Sequence, residues 1–148
     1  MKHIALALLV ALTGCAKIEG EWEATGYSIK ECSKGVCSTT KFPGIYMGCD
    51  INVTGYALFL NSHAMIDIVI GSKCLGRLNL YNHFYAGEYD ANDGMLVIRD
   101  ETGIAEFSTY FGGADSLTLV QNYKRFNSTF TAEIKLRRWK DSHMKGDN

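Results

Sequence analysis

The sequence predicts an all-β protein, a small antiparallel meander barrel of about eight to ten strands that is held by two disulfides. Three observations support this prediction: short runs of alternating apolar and polar residues, turn residues between those runs, and four cysteines in addition to Cys15. Alternation places the apolar side chains on one face of each strand. Closing such a sheet into a barrel removes its two exposed edges.

The alternation is clearest in two segments. Ile66, Ile68 and Ile70 share one face of a strand, and a second set does so further along the chain, opposite charged and polar neighbours: Phe130, Ala132, Ile134 and Leu136. Both patterns have the period of two that a half-buried strand requires.

Turn signals separate the runs at intervals that suit a meander. They lie at Asn61-Ser62, Gly71-Ser72, Asn92-Asp93-Gly94, Thr102-Gly103 and Gly112-Gly113. Residues 115–126 are ambiguous, because Leu117, Val120 and Tyr123 lie near helical spacing. A short helix is therefore an alternative to a strand in this stretch.

Length and charge indicate a single domain that does not bind nucleic acid. The chain has 148 residues, 47% of them hydrophobic, and one proline, which fits one globular domain. Its 15 basic and 16 acidic side chains give a net charge of −1. Sequence-independent binding to phosphates requires a broad positive field, which this balance does not provide.

The first residues have the pattern of an export signal. Lys2 precedes an apolar run at 4–12, which as a helix is only ~14 Å long and too short for the ~30 Å core of a bilayer. Leu12-Thr13-Gly14-Cys15 resembles the bacterial lipobox. The resemblance implies that residues 1–14 are a lipoprotein signal peptide and that Cys15 carries acyl chains such as palmitate, which anchor the protein firmly in a membrane.

The chain after Cys15 divides into three parts. We expect a lipidated tether at 15–19, a barrel domain at 20–140 and a polar tail at 141–148. In bacterial lipoproteins an Asp after the lipidated Cys favours retention in the inner membrane, and here Ala16 follows Cys15. The resemblance therefore implies anchoring in the outer membrane.

The remaining four cysteines predict two disulfides, because thiols oxidise in the cell envelope. Cys32 with Cys37 is the favoured pair, since Ser33-Lys34-Gly35-Val36 is typical of a hairpin tip that brings them into register. Cys49 then pairs with Cys74. A four-thiolate zinc site is the alternative, but the spacing is not that of paired CxxC motifs.

Gly20-Glu21-Trp22, before the first strand, resembles the Gly-x-Trp signature of the lipocalins, some of which are bacterial outer-membrane lipoproteins. The resemblance covers residues 17–139, and the second lipocalin signature, Thr-Asp-Tyr, has no counterpart here. It implies that Trp22 closes the barrel floor and that Arg137 or Arg138 packs over its indole, as a cation does over an aromatic ring.

One segment has the composition of a binding surface. In a strand spanning 79–89, Tyr81, His83, Tyr85 and Tyr89 share a face with Gly87. Tyrosine offers a large contact area and a hydroxyl group at a small entropic cost, which suits a cavity wall or a protein-binding face. With Trp22, these four side chains are the predicted ligand-binding residues; a half-buried sheet with hydrated phenols is the alternative.

No catalytic or metal-binding motif accompanies this face. His63 and His83 are the candidates for acid–base chemistry, but neither lies in a catalytic motif. Asp90 to Gly94 with Glu101 resembles an EF-hand calcium loop, although its Gly comes one place early and a hairpin turn explains it better. We therefore expect a non-enzyme without a metal or cofactor.

The predicted function is binding at the cell envelope. We expect a lipid-anchored lipoprotein whose barrel takes up a small apolar or amphiphilic ligand. The alternative is a protein-binding lipoprotein that inhibits an envelope enzyme or blocks a receptor as an exclusion factor, because a rigid surface loses little entropy on association.

Overall fold

The computed structural model describes residues 17–72, 74 and 78–140, without the side chains of 78–80. The predicted signal peptide at 1–14, Cys15 of the tether and the tail at 141–148 lie outside the described residues. Every regular element in the described ranges is a β-strand, as the sequence predicted. There are ten of them: β1 (Gly20–Ser33), β2 (Val36–Phe42), β3 (Gly44–Tyr46), β4 (Cys49–Leu60), β5 (His63–Ser72), β6 (Leu78–Asn92), β7 (Met95–Asp100), β8 (Gly103–Phe111), β9 (Ser116–Arg125) and β10 (Ser128–Arg138).

The strands form an antiparallel barrel of eight, with two extra strands. From β4 to β10 each strand pairs with the next, and β10 pairs with β1. The barrel closes where Gly20–Glu23 of β1 pairs with Tyr56–Phe59 of β4. Beyond this seam β1 pairs with β2 instead, and β3 pairs with the start of β4. The predicted meander barrel is confirmed, with eight strands in the wall and β2 and β3 added at one end.

The two ends of the barrel differ. We call the end that carries the β1–β2 and β9–β10 hairpins the upper end, and the end where the chain enters at Lys17 and leaves after Arg138 the lower end. The turns β4–β5 and β6–β7 also lie at the lower end. Both use positive φ at their central residues, at Asn61 and Ser62 and at Asp93 and Gly94, which matches the twist of the flanking strands.

Two local expectations need correction, and one turn was not predicted. Gly71 and Ser72 are not a turn but the end of β5, paired with β6. The helical alternative for 115–126 is wrong, because this stretch is strand β9, with Leu117 and Leu119 fully buried. The hairpin at Phe126, where φ is positive, lacked the glycine that marks most of the other turns.

The apolar faces of the strands fill the interior of the barrel. Side chains with at most 1% exposure come from every side of the wall: Trp22, Ile51, Phe59, Ile66, Ile68, Ile70, Leu96, Phe107, Leu117 and Leu119. Such close packing is that of a solid core. The core reaches the upper end, where fully buried Ile70 pairs with Tyr81.

Both disulfides form with the expected partners, Cys32 with Cys37 and Cys49 with Cys74. The first links β1 to β2, and the second links the start of β4 to the connection between β5 and β6. Because all four thiols are used, the alternative of a four-thiolate zinc site is excluded. Both covalent links brace the upper end of the barrel.

The wall divides between β8 and β9 in its upper part. The two strands pair only where Ser108–Phe111 faces residues 117–120. Residues 103–107 of β8 and 121–125 of β9 are not paired with each other. The inward side chain of this unpaired stretch, Phe107, is still buried, at 1% exposure.

Candidate functional site

The floor of the barrel is built around Trp22. This side chain is fully buried, and its indole Nε1 donates a 2.7 Å hydrogen bond to the carbonyl of Ile18. The guanidinium carbon of Arg138 lies 4.1 Å from the ring centre, within the range of a cation–π interaction. The resemblance implied that either Arg137 or Arg138 packs over the indole. The structure places Arg138 there, while Arg137 pairs with Glu23.

Arg138 also holds the segment before β1, Lys17–Glu19, which we call the N-terminal strap. Its Nη1 donates to the carbonyl of Glu19 at 2.8 Å, and its Nη2 donates to the carbonyl of Lys17 at 2.7 Å. The strap is therefore fastened to the floor by Arg138 and by the indole of Trp22. The chain enters the barrel from a fixed point.

The tyrosine face of β6 points into the barrel. Tyr81, Tyr85 and Tyr89 pack against the buried core, whereas Phe84, on the opposite face, is 62% exposed. An outward protein-binding role for this face is therefore excluded. What remains is its role as an inner wall.

Tyr27 of β1 completes a group of rings at the upper end. Its ring centre lies 5.3 Å from that of Tyr81 and 5.0 Å from that of His83, and the His83 ring stacks at 6.4 Å on Tyr85. We call Tyr27, Tyr81, His83 and Tyr85 the upper aromatic cluster. Phe107 packs edge-on against Tyr85 beneath it at 5.2 Å.

The other two predicted ligand-binding residues lie elsewhere. Tyr89 packs against Phe59 near the floor at 5.4 Å, and Trp22 contacts Phe111 at 6.4 Å. The solid core separates them from the upper aromatic cluster. Of the five predicted residues, the structure thus brings together Tyr81, His83 and Tyr85.

The inward position of Tyr27 was not predicted from the sequence, because a bulge reverses the alternation of β1. The register of β1 against β10 shifts between Ala24 and Gly26. Without that shift, Trp22 and Tyr27 would face opposite sides of the strand. Gly26, within the run, was the one signal in the sequence that marks such a bulge.

The polar atoms of the cluster are incompletely paired. The Tyr85 hydroxyl donates a 3.1 Å hydrogen bond to Oε1 of Gln121, reaching from β6 to β9. The Tyr27 hydroxyl and Nε2 of His83 are buried and have no hydrogen-bond partner among the described residues. Buried polar atoms are normally paired, and each exception needs an explanation.

Burial disfavours the charged forms of the side chains in the cluster. Burial, with smaller contributions from the neighbouring phenols, raises the pKa of Tyr27, and burial likewise raises the pKa values of Tyr81 and Tyr85. Burial lowers the pKa of His83 below its usual range. The cluster therefore offers hydroxyl donors and a neutral imidazole, which suits an uncharged hydrogen-bonding group.

Among the described residues, neither histidine forms a hydrogen bond with a carboxylate. Nδ1 of exposed His63 lies 3.1 Å from the carbonyl of Asn61, and His83 Nε2 has no partner in the described part of the chain. Asp93 and Gly94 form the β6–β7 turn, as the hairpin interpretation predicted. Within residues 17–72, 74 and 78–140, no group of three or more His, Cys, Asp or Glu side chains is arranged to hold a metal ion.

In the same ranges there is no helix long and apolar enough to cross a membrane. Comparison with protein-family models, with curated proteins and with solved structures found no match.

Proposed function

We propose that this protein is a lipid-anchored lipoprotein of the bacterial outer membrane whose barrel binds a small amphiphilic molecule at the upper aromatic cluster. The observation that supports it best is the pair of unpartnered polar atoms, the Tyr27 hydroxyl and Nε2 of His83, on adjacent rings inside the barrel. Leaving such atoms unpaired costs stability. A ligand that pairs with them offsets this cost when it binds.

The chemistry of the cluster defines the class of ligand. Three phenols and an imidazole offer aromatic faces and hydrogen-bonding groups without charge. The ligand is therefore a compact molecule with a flat apolar body and a neutral polar group. A long acyl chain fits less well, because the core fills the barrel below Phe107.

The separation of β8 and β9 gives this site a side entrance. Gln121, which accepts the hydrogen bond of Tyr85, is the first residue of β9 beyond the paired region. Breaking one exposed or half-buried hydrogen bond costs about 1 kcal/mol. The Tyr85–Gln121 contact thus opens readily to admit a ligand.

A fluorescence titration tests the binding site. The neutral probe N-phenyl-1-naphthylamine is expected to bind with increased emission and to be displaced by small neutral aromatic alcohols more effectively than by palmitate. Removing one hydrogen-bonding group, as in Tyr27→Phe or His83→Leu, weakens binding of the displacing alcohols about tenfold. Tyr110→Phe, a matched change at an exposed position of β8, leaves the affinity unchanged.

Native mass spectrometry of the protein extracted from its own membrane completes the test. A co-purifying small molecule that is lost in His83→Leu supports the proposal. Equal affinities in all variants, or no probe binding, refute the binding site.

The anchor is tested separately. Labelled palmitate is expected to be incorporated into the wild-type protein and not into Cys15→Ser, which should leave the membrane fraction. Unchanged processing and partitioning of Cys15→Ser would refute the lipid anchor without affecting the ligand site.

A second candidate function, binding of an envelope protein, is favoured by the hairpins of the upper end. Large apolar side chains in these hairpins and in the β3–β4 hairpin are unusually exposed: Val36 at 75%, Ile45 at 77%, Met47 at 81% and Phe126 at 93%. Exposed apolar groups on a braced scaffold are typical of interaction sites. If Ile45→Ser with Phe126→Ser abolishes cross-linking to one envelope protein and leaves probe binding intact, this second function is supported.

A further inference from the structure

An apolar groove lies on the outer wall near the lower end, away from the upper aromatic cluster. Tyr56, Leu58 and Trp139 line it together with Glu21, and its volume is about 220 Å³. Trp139 directly follows β10, and its backbone N–H donates to the carbonyl of Glu21 at 3.0 Å. This bond extends the pairing of β10 with β1 by one residue and fixes Trp139 on the outer face.

The apolar surface continues beyond the groove. The Tyr56 hydroxyl contacts Sδ of Met65 on β5 at 4.0 Å, and Leu60, two residues beyond Leu58, is 41% exposed. Tyr56 is 39% and Trp139 37% exposed. We call Tyr56, Leu58, Leu60 and Trp139 the lower outer patch.

The lower outer patch lies close to the point where the chain reaches its lipid anchor. Arg138, which precedes Trp139, holds the carbonyl of Lys17. A single residue, Ala16, separates Lys17 from Cys15. Two residue steps span at most about 7 Å, so acyl chains on Cys15 enter a bilayer directly beside this end of the barrel.

We propose that the lower outer patch rests in the headgroup region of the membrane that holds the acyl chains. Tryptophan and tyrosine favour this region, because their rings are apolar and their polar atoms remain hydrated. Glu21 in the groove and Lys140, the residue after Trp139, keep the contact at the level of the headgroups, since charges are costly in the hydrocarbon core. The inference rests on the lipid anchor of the proposed function and not on its ligand site.

This contact fixes the orientation of the whole barrel. With the lower end on the membrane, the upper aromatic cluster and the hairpin tips with Val36 and Phe126 face away from it. The lower end then contacts lipid, and the upper end is accessible to soluble molecules or to molecules that extend from the membrane.

Tryptophan quenching in vesicles tests the orientation, because the chain has only two tryptophans and Trp22 is fully buried. The acylated protein, extracted from expressing bacteria, is placed in phosphatidylethanolamine–phosphatidylglycerol vesicles that contain a lipid with a spin label near the headgroup. Emission from Trp139, obtained by subtracting that of Trp139→Phe, is expected to fall by at least half and to shift to shorter wavelength.

A matched probe at the other end serves as the control. Phe126→Trp in the Trp139→Phe background places the same fluorophore on the upper hairpin, where emission should change by less than a tenth. Loss of the patch, as in Tyr56→Ser with Trp139→Ser, is expected to leave the protein anchored but to increase its rotational mobility on the vesicle.

Three results would overturn the proposal. One is that the emission of Trp139 is not quenched, whether because residues 141–148 cover this side chain or because a second copy of the protein does. Another is equal quenching of the Phe126→Trp probe, and the third is a protein without acyl mass at Cys15. Failure of ligand binding with an unchanged quenching profile refutes the ligand site alone.

Discussion

The guanidinium of Arg138, the last residue of β10, lies over the indole of Trp22, the third residue of β1, with 4.1 Å between the guanidinium carbon and the ring centre. The same side chain donates hydrogen bonds to the strap carbonyls of Lys17 and Glu19. One arginine thus joins the end of the barrel chain to its beginning.

Arg138→Ala should lower the free energy of unfolding by about 2–4 kcal/mol, because it removes a part-buried cation–π contact and hydrogen bonds to the backbone. Arg138→Lys should recover part of the loss, since it keeps the charge. Arg125→Ala is the control: Arg125 lies 5.6 Å from the ring of Phe126, which is 93% exposed, and its loss should cost less than about 0.5 kcal/mol. Urea unfolding measures all three, and equal losses at Arg138 and Arg125 would contradict the role of the floor contact.

Tyr27→Phe should stabilise the ligand-free protein by about 1 kcal/mol, because it removes a buried hydroxyl that has no described partner. The same change should weaken ligand binding. Stability should therefore rise while ligand affinity falls, and this combination distinguishes a binding residue from a structural one. Thermal unfolding with and without a small neutral aromatic alcohol measures both effects, and a destabilised Tyr27→Phe would show that the hydroxyl is paired in the free protein.

His83 should make the barrel sensitive to mild acid. Burial lowers its pKa in the folded protein, whereas an unfolded histidine titrates near pH 6.5. The unfolded state therefore binds the proton first, and stability that is fully present above about pH 6.5 is lost as the pH falls toward the folded pKa. Urea midpoints between pH 7.5 and 5 should decrease in the wild type and decrease less in His83→Leu.

The control for this pH effect is His63→Gln, a change at the exposed histidine of the β4–β5 end. It should retain the wild-type dependence on pH. If the urea midpoint of His83→Leu decreased with falling pH as steeply as that of the wild type, other groups would be the cause of the acid sensitivity.

The two disulfides should differ in their contribution to the free energy of unfolding. Cys49–Cys74 closes a longer stretch of chain than Cys32–Cys37, with sequence separations of 25 and 5. In the chain-entropy account the longer loop stabilises by about 3.5 kcal/mol and the shorter one by about 2 kcal/mol. Calorimetry of the two double Cys→Ser variants compares them; a larger loss on removing Cys32–Cys37 would contradict this order.

The parts of the fold that follow from local pattern could be predicted. Alternation identified β5 and β10, and the short hairpin between Cys32 and Cys37 gave the disulfide pairing, because turn geometry sets register over so few residues. The position of Arg138 came from a family resemblance and needed the structure to separate it from Arg137. The barrel seam between β1 and β4 connects residues far apart in the chain, and no local signal marks it.

The candidate site was only partly predictable for a similar reason. The parity of Tyr81, His83 and Tyr85 identified one inner wall, but whether that wall faced the core or the solvent depended on closure of the barrel. Tyr27 was hidden by the bulge after Ala24. Tyr89 has the correct parity, yet it lies eight residue steps from Tyr81, which places it at the floor, about 26 Å away at the rise of a strand.

If Cys15 carries the proposed lipid anchor, the seam that closes the barrel, Gly20–Glu23 against Tyr56–Phe59, lies close to the point of attachment. Any pull from a moving membrane is transmitted through the strap into these few strand pairs. On the other side the same strand is loaded lengthwise against the whole of β10, a geometry in which many hydrogen bonds share the force. Mechanical tension on the anchor would thus be resisted by shear along β10, with Arg138 and Trp22 as the clamp that keeps the short seam from peeling open.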